Sequence, residues 1–124
     1  MMLKKLHLTF SVILFLILST NILKAELLIP KNSILPAEVI KIQLIGLMNN
    51  DQKFKDSGIE QTWNFAHPSN KKATGPLNRF KEMIKGNNYQ MMLDHLSHTI
   101  TQVRGGESWV QFEVIILDLS LIHI

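Results

Sequence analysis

The residues whose types and spacing are best suited to catalysis or metal binding are two histidines three positions apart, His95 and His98, which follow Asp94. On a helix this spacing would place both imidazoles on one face, whereas on a strand an odd offset sends them to opposite faces. The alternating pattern around them predicts a strand, so we expect two separated histidines. With no third ligand at a suitable spacing, the sequence predicts no metal site and no other cofactor.

A second polar cluster is His67-Pro68-Ser69-Asn70. Ser and Asn side chains in such clusters commonly bind their own backbone in a turn, which is the simpler interpretation. The alternative is that His67 and Asn70 line the mouth of a pocket as hydrogen-bond donors.

Arg79 and the aromatic residues complete the candidates for binding. Arg79 could hold a carboxylate ligand, although an ion pair with Glu82, three residues on, is favoured. Trp63 and Tyr89 could line a cavity, although aromatic side chains of a small domain are more often core residues. The predicted pocket residues are therefore Trp63, His67, Asn70, Arg79 and Tyr89.

The sequence offers no recognisable acid and base. General acid–base catalysis needs two groups within mutual reach, and the carboxylates fall mostly on predicted solvent faces or in loops. Glu60 and Asp94 are the hardest to assign. Thr74-Gly75-Pro76 is a helix start and not a phosphate loop, because no Lys-Ser/Thr follows its single glycine. The catalytic residues are unknown, and the residues do not decide whether the protein is an enzyme.

The elements that hold these side chains are predicted from the hydrophobic pattern, which first indicates two helices. Residues 36–49 begin with a proline that suits a first helical turn and continue with apolar residues at helical spacing. Residues 59–66 form a second, shorter helix. Pro68 is expected to end it, because the residue before a proline avoids the α region. Residues 69–75 are predicted to be a loop.

A third helix is predicted from Pro76 to a stop at Gly86. The period then changes to alternation over residues 91–103 and 108–117. Arg104-Gly105-Gly106-Glu107 between them is typical of a hairpin turn. The prediction is an α+β domain with three helices and an antiparallel sheet of about two strands.

Residues 1–25 have the pattern of a secretory signal peptide, and the prediction is a signal helix. Lys4 and Lys5 precede an apolar run, and Ala25 is a small residue at a suitable cleavage point. The alternative is an uncleaved N-terminal membrane anchor, for which the run is shorter than the roughly 20 residues of a spanning helix. Either way we expect an exported domain, periplasmic or secreted, whose only link to a membrane would be an uncleaved leader.

Composition narrows the partners further. The net charge is +3, but Lys4, Lys5 and Lys24 lie in the leader, and the rest of the chain has ten basic and ten acidic residues. A neutral domain lacks the basic surface that nucleic acid binding requires, so no nucleic acid partner is expected. The chain has no cysteine, so the domain must be held by core packing alone. That suits bacterial export to the periplasm.

Several short segments together resemble one family. They are Pro36 to Leu44, Gly58-Ile59, Asn64 to Asn70, Thr74 to Phe80, and Tyr89. This combination resembles a small bacterial and plant group, domain of unknown function 4864, within the nuclear-transport-factor-2-like (SnoaL-like) superfamily. The resemblance covers roughly residues 35–118, and residues 65–80 are its most specific part.

The resemblance implies a cone-shaped domain in which a strongly curved antiparallel sheet wraps around helices and leaves a pocket open at one end. The superfamily includes isomerases, dehydratases, cyclases, transport adaptors and binding modules, so the fold does not select a function. We expect a module that binds a small apolar or amphipathic molecule or a protein. The alternatives are a pocket enzyme of the isomerase or dehydratase type, using His67, Tyr89 or a residue in a C-terminal part expected to be missing, and a homodimer formed through the sheet.

The C-terminus departs from the family pattern. Related domains continue with further strands after the position of Asp118, and residues 119–124 resemble a peptide produced by mistaken translation of adapter DNA. Two strands cannot close a cone, and an open apolar edge favours aggregation. The predicted organisation is a signal peptide (1–25), an extended lead-in (26–35), a partial domain (36–118) and a non-native tail (119–124).

Overall fold

The computed structural model describes residues 25–119. The predicted α+β class is confirmed for this part of the chain, which contains four α-helices and a two-stranded antiparallel sheet. Apart from Ala25 and Leu119, the predicted signal helix and C-terminal tail lie outside the described residues. The elements are α1 (Pro36–Met48), α2 (Ser57–Asn64), α3 (Pro68–Thr74), α4 (Leu77–Lys85), a 3₁₀ helix (Gln90–Met92), β1 (Ser97–Gly105) and β2 (Val110–Leu117).

Helix α1 forms where the sequence predicts it. Pro36 occupies the first turn, and Glu38 lies near the positive end of the helix dipole. Its Leu44 and Leu47 are buried. The helix ends at Asn49, whose backbone N–H reaches back to the carbonyl of Ile45 at 3.1 Å.

Helix α2 begins at Ser57, two residues earlier than predicted, and packs closely against α1. The approach depends on glycine. A Cβ on Gly58 would lie 1.9 Å from the carbonyl oxygen of Gly46 in α1, and one on Gly46 would lie 3.3 Å from the carbonyl oxygen of Gly58. The two backbones meet at a distance that no larger residue at position 58 would allow.

The predicted loop over residues 69–75 is wrong, because α3 spans Pro68–Thr74. Pro68 begins this helix, and α2 has already ended at Asn64. A proline fits the first helical turn as well as it ends a preceding helix. Helix α3 has no buried residue, so it carries no apolar stripe from which a helix could be predicted.

The core lies among α1, α2 and α4. It consists of Leu47, Ile59, Phe80 and Ile84, with Ile59 fully inaccessible to solvent. Trp63 packs against Phe80 with ring centroids 5.1 Å apart and planes tilted by 47°. The predicted buried face of the third helix is confirmed at Phe80 and Ile84.

The predicted hairpin is confirmed, with a later start for its first strand. Residues 91–96 do not belong to the strand: the 3₁₀ helix Gln90–Met92 comes first, and Asp94 has a left-handed φ of 54°. The backbone N–H of Asp94 donates to the carbonyl of Leu47 at the end of α1 (2.9 Å), which turns the chain before β1 begins at Ser97. This long-range contact is not visible in the local pattern.

The two strands pair antiparallel, with Ile100 opposite Val114 and a bulge between Gln102 and Arg104. One face of the sheet is half-buried and includes His98, Ile100 and Val114. The other face is exposed.

Candidate functional site

The best-formed cavity in the described residues lies between the extended lead-in, α1 and α2. Its volume is about 220 Å³. The surface of its wall is mostly apolar, and several polar side chains also line it. The aliphatic residues are Leu27, Leu28, Ile42 and Ile45; the polar ones include Asn49, Gln52 and Lys53.

The lead-in is fixed over this cavity by Gln61. The backbone N–H of Leu28 donates to Gln61 Oε1, and Gln61 Nε2 donates to the carbonyl of Leu28, both at 2.8 Å. The side-chain amide thus pairs with the segment as a neighbouring strand would. Gln61 is buried, so this pairing satisfies a polar group that would otherwise be costly to bury.

Lys53 is the cationic residue that lines the cavity. Lys53 Nζ donates to the carbonyl of Glu26 at 3.2 Å and is otherwise solvent-exposed. Asn49 Nδ2 donates to the carbonyl of Ile45 at 3.1 Å. A molecule with an aliphatic body and an anionic end would match the apolar wall and the positive charge of Lys53.

None of the five predicted pocket residues lines this cavity. Trp63 is half-buried against Phe80, with Lys71 Nζ 5.6 Å from the ring centroid on its other side. Tyr89 is 42% exposed. Trp63 therefore belongs with the core, as the simpler interpretation expected.

His67 and Asn70 serve α3 itself. His67 is the N-cap: its Nδ1 accepts from the backbone N–H of Ser69 at 3.1 Å and lies 2.7 Å from Ser69 Oγ. The carbonyl of Asn70 accepts from Thr74 Oγ1 at 2.6 Å. Both residues are exposed; the His67 bond is that of a helix N-cap, whereas the Asn70 carbonyl accepts a side-chain bond within the helix.

Arg79 is exposed and does not pair with Glu82, so that prediction is wrong. The salt bridges among residues 25–119 join Lys81 to Glu60 (2.9 Å) and Lys85 to Asp56 (2.7 Å). The neighbouring lysines point toward α2 and its N-cap, where the acids lie.

The prediction that His95 and His98 are separated is also wrong. His95 precedes β1 and is buried, and its Nε2 lies 2.7 Å from Nδ1 of His98. Its own Nδ1 lies 2.7 Å from the carbonyl of Met92. The alternation rule applies only when both residues are in the strand, and His95 is not. Burial, the neighbouring His95 and Lys41 together lower the pKa of His98.

A buried polar cluster at the start of α2 was not predicted. Asn50 Oδ1 accepts from the backbone N–H of Ile59 (3.0 Å), and the carbonyl of Asn50 accepts from Ser57 Oγ (2.7 Å). Asn50 Nδ2 reaches Asp56 Oδ1 at 3.4 Å. The run of Asn, Asp and Ser around a glycine was the available signal, since such residues bind nearby backbone groups.

Asp56 combines burial with a charge. Burial alone would raise its pKa, but the hydrogen bond and charge of Lys85, the amide of Asn50 and the charge of Lys81 outweigh burial and lower it. Asp56 also has a left-handed φ of 63°, a conformation that Asp tolerates better than most residues. The cluster holds the α1–α2 connection and is structural.

No group of three or more His, Cys, Asp or Glu side chains within residues 25–119 is arranged to hold a metal ion. In the same part of the chain, no helix has the length and apolar character needed to cross a membrane.

Comparisons with known proteins found no match to a family model, a curated sequence or a solved structure. The resemblance to the nuclear-transport-factor-2-like superfamily therefore stays a prediction.

Proposed function

We propose that this protein is an exported module that binds a small amphipathic molecule in the cavity between the lead-in, α1 and α2. The observation that carries the proposal is the composition of that cavity, which combines a mostly apolar wall with one lysine, Lys53. Concave sites with mostly apolar walls and a few polar groups are the usual form of a small-molecule site.

The size of the cavity favours a small ligand. Its volume of about 220 Å³ is below the roughly 300–1,000 Å³ of pockets for drug-sized molecules. A short aliphatic chain would be in contact with Leu28, Ile42 and Ile45. Each methylene removed from water there contributes about 0.8 kcal/mol.

The charge at the rim favours an anion. Lys53 uses one of its three donors on a carbonyl and keeps the others for solvent or a ligand. A medium-chain carboxylate meets both requirements, with its chain on the apolar wall and its head group beside Lys53.

The superfamily assignment is part of this proposal. It is supported by four helices that precede a hairpin and by a sheet face half-buried over α1. The cone, its further strands and export through the leader are expectations of the same proposal. The isomerase or dehydratase alternative relied on His67, Tyr89 or a residue of the expected further strands. His67 caps α3 and Tyr89 is exposed, so no observation among the described residues favours it.

The test is a thermal-shift titration of the full chain with octanoate and with 1-octanol. A ligand that binds only the folded state raises Tm by mass action. We expect both probes to stabilise the protein. Lys53→Met should weaken octanoate binding by about two- to fivefold, the value of one exposed ion pair, and leave 1-octanol unaffected.

Two further variants make the titration specific. Lys55→Met removes an exposed lysine of the same loop that does not line the cavity, and should leave both shifts unchanged. Ile45→Trp places a large ring on the cavity wall and should abolish both. Unchanged shifts in Ile45→Trp, or no shift with either probe at millimolar concentration, would show that the cavity is not the site.

A further inference from the structure

The two imidazoles of His95 and His98 form one continuous hydrogen-bonded chain with the carbonyl of Met92. Both contacts, Met92 O to His95 Nδ1 and His95 Nε2 to His98 Nδ1, are 2.7 Å long. The ring centroids are 5.0 Å apart. This hydrogen-bonded chain links the 3₁₀ helix to the start of β1.

The geometry determines where the protons lie. A carbonyl can only accept, so His95 Nδ1 carries a proton. In the neutral pair, His95 Nε2 is then an acceptor, and His98 Nδ1 must donate to it. One proton is held between the two rings. If both rings were charged, each facing nitrogen would carry a proton, and two donors would meet at 2.7 Å.

The surroundings make a second charge costly. His95 is only 3% exposed, and His98 is half-buried opposite Ile116 of β2. The charge of Lys41 in α1 acts on His98, Asp94 comes directly before His95 in the chain, and Asp118 comes directly after β2. The Asp94 carboxylate already accepts from the backbone N–H of Asn50 at 3.3 Å.

We propose that this pair is a pH-sensitive latch, which holds the start of β1 on the helices when it carries at most one extra proton and releases the hairpin when it takes up a second. The position of the pair supports this role, since it lies where the hairpin leaves the helical layer. Neither histidine lines the ligand cavity, so the latch is independent of it.

The sign of the pH dependence follows from the lowered pKa of His98. Below pH 6.5, its ordinary value, the unfolded chain binds more protons at this residue than the folded chain does. The latch therefore contributes fully above pH 6.5 and is lost as the pH falls below it. Each proton taken up on unfolding changes the folded-to-unfolded ratio by up to about tenfold per pH unit.

The test measures urea unfolding of the full chain between pH 8 and pH 5, together with amide hydrogen exchange at pH 7 and pH 5. The variant is His98→Gln, whose side-chain amide can still donate to His95. His67→Gln is the matched control, because His67 is an exposed histidine outside the pair. We expect the wild type and the control to lose stability below pH 6.5, and His98→Gln to lose several-fold less. Between pH 7 and pH 5, the amide protection of β1 should fall while that of α2 is still retained.

Three results would overturn the proposal. One is an equal pH slope in the wild type and His98→Gln, and another is simultaneous loss of protection in β1 and α2. The third is stabilisation by zinc chloride at pH 7 that His98→Gln abolishes, which would identify a metal site instead. If the variant does not fold, ring ¹⁵N spectra of the wild type decide: two independent titrations with the Met92 contact retained at pH 5 would contradict the latch.

Discussion

The helical layer and the hairpin of this protein are built in different ways. In the helices, Leu47, Ile59 and Ile84 are 3% exposed or less. In the hairpin no residue is buried, and Val103 and Ile115 are more than half exposed. The helices bury their own apolar surface, whereas the hairpin leaves one face in solvent.

This difference shows that the hairpin depends on its attachment. A two-stranded sheet alone is marginal in water. The connections here are the bond from Asp94 to Leu47, the histidine chain and the half-buried face that includes Ile100. Changes in the helices should therefore affect global stability, and changes in the hairpin should act locally.

The largest expected effect is at Ile59. Ile59→Ala removes a fully buried side chain and should lower the free energy of unfolding by about 2–5 kcal/mol, through lost transfer energy and a cavity. Ile115→Ala is the matched change in the hairpin, at a residue that is 60% exposed, and should cost within about 0.5 kcal/mol. Urea unfolding at pH 7 measures both. Similar costs would break the comparison and show that the outer sheet face is covered, for example by a second copy of the chain.

An intermediate effect is expected at Asn50. Asn50→Ala leaves the buried backbone N–H of Ile59 without its acceptor and should cost about 1–3 kcal/mol. Asn49, its neighbour of the same type, is exposed and makes one side-chain bond to Ile45, so Asn49→Ala should cost about 0.5 kcal/mol. Chemical denaturation of both variants checks this. Equal losses would mean that Asn50 is not the residue that holds α1 to α2.

Much of the fold could be predicted because it is local. The apolar spacing of α1 and α4 and the turn at Gly105-Gly106 each lie within one stretch of sequence. Helix α3 could not be found this way, because it buries no residue and has no apolar stripe. The start of β1 was missed because it depends on a bond to α1 that is distant in sequence.

The site was much less predictable than the fold. The candidates were chosen by residue type, and aromatic, histidine and arginine side chains also fill cores and cap helices, as Trp63 and His67 do here. The cavity is instead formed by ordinary aliphatic residues such as Ile42 and Ile45. Their significance depends on a lead-in held by Gln61, and that pairing joins residues 33 positions apart.

The smallest expected effect is at Lys85, and the pH dependence of this effect on stability distinguishes the helical layer from the hairpin. The pKa of Asp56 is lowered, because Lys85, Asn50 and Lys81 outweigh burial. Its contribution to stability is therefore present above pH 3.8, the ordinary value for Asp, and is lost as the pH falls below it. Lys85→Met should cost less than about 1 kcal/mol at pH 7, since the lysine side chain is 44% exposed.

That cost should shrink as the pH falls from 3.8 through the lowered pKa of Asp56, because protonation of Asp56 removes the charge that Lys85 stabilises. Lys72→Met, at an exposed lysine outside both salt bridges, is the control and should match the wild type at every pH. Urea unfolding at pH 7, 5 and 3 measures the three proteins. A difference that does not shrink at all between pH 5 and pH 3 would assign the effect of Lys85 to packing. A difference that disappears between pH 7 and pH 5 would place the acid response of the helical layer in the same range as that of the hairpin, and the contrast between the two regions would no longer hold for pH.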